Sequence, residues 1–122
     1  MPANGINLTR DDILNADDSQ KEQVHVKQWG GDVFVRVMTG ENRDHFEEEC
    51  RRRTGTGTIN YEGMKALLIV LTVVDEDSKP LFTEDDIAEL NKKNGAAIDF
   101  LFQEALRVNA IGQQQLEEIA GN

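Results

Sequence analysis

The chain has 122 residues, 39 % apolar and 30 % charged, and its 23 acidic against 13 basic residues give a formal net charge of −10. This length predicts one domain, residues 1–122, and so acidic a chain excludes sequence-independent binding to a phosphate backbone. The lone cysteine, Cys50, leaves no intramolecular disulfide, and the longest apolar run, Met64 to Val74, is too short to cross a bilayer.

Residues 1–8 read as a flexible start. They contain no apolar stretch of the signal-peptide kind, so a soluble protein of a reducing cytoplasm is expected. Thr9-Arg10-Asp11-Asp12 resembles a capping box, with acids at the positive end of a short helix running to about Ala16. Gln23 to Gly40, QVHVKQWGGDVFVRVMTG, alternates apolar and polar residues on both sides of Gly30-Gly31. That pattern predicts a β-hairpin over about 23–38 with a two-residue Gly-Gly loop. The register that follows pairs Trp29 with Asp32, Val26 with Val35 and Val24 with Val37. One face then carries Val24, Val26, Val33, Val35 and Val37 and needs a helix to cover it. The other carries His25, Lys27, Trp29, Asp32, Phe34 and Arg36.

Thr39 caps a predicted helix from about Glu41 to Arg53, whose apolar contact is Phe46 and Cys50, four residues apart. Thr54 to Thr58 reads as a flexible loop. Tyr61 to about Val74 is the core candidate. Its length favours a helix, although its β-branched residues pull toward strand. Asp75 to Leu81 is a turn with Pro80. Thr83-Glu84-Asp85-Asp86 is a second capping box, opening a helix to about Lys93 that Asn94-Gly95 caps at its end. The next helix, Ala96 to about Val108, carries the stripe Ile98, Leu101, Phe102 and Ala105, with Phe100 off it. A short amphipathic segment, Gln113 to Ile119, follows. The expected fold is therefore mainly α (α+β): a helical, bundle-like domain with one N-terminal hairpin.

No catalytic constellation accompanies it. Asp75 to Asp86 has superficial EF-hand spacing, but Lys79 occupies a ligand position, Pro80 replaces the glycine of the sharp turn, and the last ligand is the short Asp86. His45, Glu49 and Cys50 lie within about a turn of one another, too few for a metal site without a second cluster. No third member completes a Cys–His pair. Arg51-Arg52-Arg53 follows Glu47-Glu48-Glu49, an order that suits the helix dipole and i,i+4 pairing better than a nucleic-acid site. No catalytic residue, metal or cofactor is expected.

Two stretches carry a resemblance: Val26 to Gly40, VKQWGGDVFVRVMTG, after an N-terminal helix and before an acidic one, and Val73 to Ile87, VVDEDSKPLFTEDDI, before a closing helix that ends in Val108-Asn109. In their order and spacing these resemble the tail assembly chaperones of long-tailed bacteriophages and related prophages, over most of residues 9–110. The resemblance implies a non-enzymatic protein that binds the tape measure protein, keeps it soluble and helps recruit tail tube subunits. It also implies self-association into a homo-oligomer, a possible frameshifted longer form that engages the major tail protein, and action in the host cytoplasm with absence from the mature virion. Neither nucleic acid nor membrane is an implied partner. Trp29, Phe34, Arg36, Phe82 and Phe100 are the candidate residues for partner binding or self-association, and the Leu67–Val74 segment is a further candidate for an apolar groove. The rival reading is a small structural tail-completion or connector protein of the virion.

Overall fold

The computed structural model describes residues 6–53 and 63–119. The expected loop at 54–58 and the first five residues lie outside them. Thr9 caps α1 (Arg10–Leu14): its side chain accepts from Asp12 N–H while the Asp12 carboxylate accepts from Thr9 N–H. Strands β1 (Lys21–Val26) and β2 (Gly31–Arg36) form the hairpin, and α2 (Gly40–Arg53) follows with the Thr39 hydroxyl accepting from Asn42 N–H. Then come α3 (Met64–Thr72), β3 (Val73–Val74), a 3₁₀ turn (Glu84–Asp86) running into α4 (Ile87–Leu90), α5 (Gly95–Val108) and α6 (Gln113–Ile119).

The hairpin forms where the alternation places it, in a different register. Val24 faces Val33, Val26 faces Gly31 and His25 faces Asp32, four residues away from the pairing that a Gly-Gly loop dictates. The loop is Lys27 to Gly30. Lys27–Trp29 winds one 3₁₀ turn, and Gly30 closes it at φ 68°, donating to the carbonyls of Val26 and Lys27. Gly31 belongs to the strand. Because the shift is even, every side chain keeps its face, and the expected valine face survives with Val24, Val26 and Val35 buried. Replacing Gly30 by alanine is expected to cost about 1–2 kcal/mol, since an L-residue resists the left-handed region. The same change at Gly31, with open space around it, should stay within about 0.5 kcal/mol. Urea midpoints of the two variants check this; equal losses would point back to a two-residue loop.

The core helix ends earlier than its apolar run. At Val73 the chain turns extended and adds a third antiparallel strand to the hairpin, with Val73 opposite Val35 and Val74 opposite Phe34. The β-branched run Thr72-Val73-Val74 gives up helix most readily, and β2 offers an otherwise open edge. Sheet order is β1-β2-β3.

Behind the valine face lie α5 and then α3. Helix α3 is buried on all sides except Lys65, whose ammonium reaches the Asp99 carboxylate on α5 at 2.5 Å. It is therefore the core itself and offers no apolar groove, contrary to expectation for Leu67–Val74. Its one buried polar side chain, Thr72, donates to Leu68 O at 2.7 Å. Helix α2 packs on α3 through Phe46 and Cys50, both fully buried, and α6 closes against α2. Helix α4 is shorter than expected, ending at Leu90 with turns after it. Asn94 caps the start of α5 rather than the end of α4, its Oδ1 accepting from Ala96 and Ala97 N–H. The fold is α+β, mainly helical, as the pattern implied.

Asn109 ties the closing helix to the sheet. Its Oδ1 accepts from Met38 N–H at 2.7 Å, and its Nδ2 donates to Arg36 O at 3.2 Å and Ala105 O at 2.9 Å. On the β3 edge, β2 has no ladder partner beyond the two residues of β3, and Asn109 supplies one.

Candidate partner-binding surface

The five candidate residues divide between two surfaces and the core. Phe34 and Arg36 stand on the outer face of the sheet, opposite the valines. The Lys21 ammonium lies 5.0 Å from the Phe34 ring centroid. Phe34 lines an open groove of about 350 Å³ with Gln23, Asp32, Val74, Glu76 and Leu81. Arg36 faces Lys21 across the hairpin and donates its Nε to Leu71 O at 3.1 Å. Phe100 stands on α5, off the buried stripe and 39 % exposed, on the helical side of the sheet. Trp29, also 39 % exposed, sits in the hairpin turn, which packs on that same helix. Phe82 is half-buried against the core and contributes little free surface.

Two features escaped the sequence pattern. Leu81, 47 % exposed, shares the groove with Phe34; a leucine next to Pro80 reads as turn filler until the bridge between Val74 and Pro80 brings it to the sheet. The second is the N-terminal arm. Residues 6–20 are exposed throughout, among them Ile6, Leu8, Ile13 and Leu14 at 57–81 %. Four large apolar side chains thus stand in solvent within one short segment. The signal was present in INLTRDDIL, where a capping box sits among apolar residues.

The remaining chemical candidates have structural partners. His45 Nε2 lies 3.2 Å from Glu84, joining α2 to the second capping box. Cys50 is buried in the core. Arg51 and Arg52 pair with Glu47 and Glu49 one helical turn back. Among the described residues no three His, Cys, Asp or Glu side chains gather as metal ligands, and no helix is long and apolar enough to cross a membrane. Asp75, first in the EF-hand-like spacing, accepts from the N–H groups of Asp77 and Lys79 and so organises its own turn.

Those bonds lower the Asp75 carboxyl below its ordinary 3.8, and the Arg107 guanidinium lowers Glu22 below its ordinary 4.5. Asp12, in the first capping box, is lowered likewise by the backbone N–H and hydroxyl of Thr9. Each group binds a proton more readily unfolded than folded, so its contribution is complete above the ordinary values and lost as pH falls through the lowered ones. Stability is thus expected to decline below about pH 4.5. In urea titrations across pH 2–6, Asp75→Asn should flatten part of that decline. A slope unchanged by this variant would show that Asp75 does not contribute.

A family model described as phage tail assembly chaperone matches residues 9–120. Among solved structures, the one titled "Structure of bacteriophage HK97 tail assembly chaperone" superposes with a TM-score of 0.59, at 21 % identity, covering 80 % of this chain and 90 % of that one. At that identity the likeness speaks for the fold. No curated protein matches the chain.

Proposed function

From this chain's membership of the phage tail assembly chaperone family, we propose that it binds the tape measure protein while the tail assembles, keeps it soluble, and helps bring tail tube subunits to it. The family match over residues 9–120 carries this reading. The role is one of binding, without catalysis, performed in the infected host cell by a protein left out of the mature virion.

The physical surface suits such work. A net charge of −10 holds the chain and its cargo in solution. Aromatic and aliphatic residues on both sides of the sheet, the half-buried Phe34 with exposed Leu81 on one and exposed Trp29 and Phe100 on the other, supply apolar contact for an amphipathic helical partner. The chain self-associates, and a frameshifted longer form would carry the contact to the major tail protein.

Producing the tape measure protein with and without this chain tests the proposal. Soluble tape measure protein is expected only in the paired culture. Equal solubility in both would remove the chaperone role. Mass spectrometry of purified particles separates the chaperone from a connector: the chain should be missing, and a stoichiometric presence would favour the structural component.

A further inference from the structure

We propose that the open end of the hairpin, where Lys21 faces Arg36, is a receptor for the acidic N-terminal arm of a second copy of this chain. The inference rests on the self-association proposed above and assigns it a surface.

Two cations directly opposite each other on one sheet face repel. Although the chain has ten more acids than bases, neither side chain forms an ion pair with a carboxylate among the described residues; Lys21 attracts the Asp75 carboxylate without pairing with it. The Lys21 ammonium donates to Glu76 O and the Ser78 hydroxyl, and Arg36 Nε donates to Leu71 O, so the terminal N–H groups of Arg36 remain available. Around the pair is a concave space of about 210 Å³, also lined by Ser19, Gln20, Val37, Thr39 and Ser78. The lining holds two cations, three hydroxyls and an amide, and no acid. Two carboxylates lie nearby: Asp75, held by its own turn and also drawn by the Lys21 charge, and Asp17, held by the Ser19 hydroxyl at 2.8 Å. Phe34 adjoins the pair under the Lys21 ammonium and leads into the groove that holds Leu81. The receptor thus presents cations beside an apolar shelf.

The arm presents the complement. It carries Asp11, Asp12, Asp17 and Asp18 against one arginine, interleaved with Ile6, Leu8, Ile13 and Leu14. Helix α1 has five residues and buries none of them; a helix that short is marginal in water without a surface to lie on. Docking would seat aspartates on Lys21 and Arg36 and lay Ile13 and Leu14 on Phe34 and Leu81. Arm and receptor are different surfaces, so the contact is heterologous, and each copy both gives and receives an arm.

The test uses the full chain and two variants, Lys21→Glu in the receptor and Asp11→Lys/Asp18→Lys in the arm. Light scattering over a concentration series should show wild-type association that weakens with salt. Each variant alone should associate about tenfold or more weakly, as an attractive pair becomes a repulsive one. Their mixture should recover a 1:1 complex, because the acidic arm of the receptor variant meets an intact receptor on the arm variant. The arm variant changes only exposed side chains, so misfolding does not explain its loss. If both variants associate like wild type, this contact is overturned while self-association stands. If the wild type stays monomeric at every concentration, both are overturned. A mixture that fails to associate also overturns the contact.

Discussion

Replacing Phe46 by alanine is expected to destabilise the chain by about 3–5 kcal/mol. Helix α2 is otherwise strongly charged, and among its described residues Phe46 and Cys50 are the buried side chains. The phenyl ring is fully buried, so truncation removes its transfer free energy and leaves a cavity that neighbouring backbone fills only in part. For a domain whose whole stability is about 5–15 kcal/mol the loss is large. Helix α2 should also loosen first, because its remaining hold is Cys50, the His45–Glu84 pair, the Arg43 bond to Asn109 O and contacts with α6. Urea unfolding measures the total, and native-state hydrogen exchange over residues 40–53 measures the local part. Phe46→Leu should recover most of it, to within about 1.5 kcal/mol of wild type. A loss under about 1 kcal/mol for alanine would mean that α2 is not anchored through this ring.

Asn109→Ala is expected to cost about 2–4 kcal/mol, because a buried N–H and a part-buried carbonyl lose their partner together. Met38 N–H would face no acceptor and Arg36 C=O no donor, at the point where β2 runs out of ladder. An isosteric leucine removes the same bonds and keeps the volume, so it separates bonding from packing: the two substitutions should cost about the same if bonding dominates. Asn109→Asp keeps the acceptor for Met38 but sets a carboxylate against the Arg36 and Ala105 carbonyls, and should fare no better than alanine. Urea midpoints at constant m-value decide this. Asn109→Leu at wild-type stability would show that water satisfies Met38 and Arg36 without the amide.

Much of the fold was legible in local chemistry, because the informative residues act on their immediate neighbours. Both capping boxes, at Thr9 and Thr83, form as their sequences imply. Phe46 with Cys50 and the stripe on α5 are buried as their spacing requires. What escaped depends on distant partners. The hairpin register turned on a choice between a two-residue and a four-residue loop, and the glycine pair fits either, since only Gly30 needs a positive φ. The end of α3 was decided by the open edge of β2, some forty residues away. Asn94 stands between two helices, and its φ and ψ rather than its identity select the one it caps. Asn109 was legible as part of the resemblance, but its bonds to Met38 and Arg36 exist only once the sheet and α5 meet. The candidate surface was legible in its aromatic residues. Its apolar neighbour Leu81 and the facing Lys21–Arg36 pair were not, because both depend on the register and on the third strand.

The central claim, that this chain binds the tape measure protein, is tested most directly by co-purification. A tagged chain should carry the tape measure protein of the same tail through affinity and size-exclusion steps at moderate salt, in a complex that leaves the tape measure protein soluble. Recovery of the tagged chain alone from cells that make both proteins would contradict it.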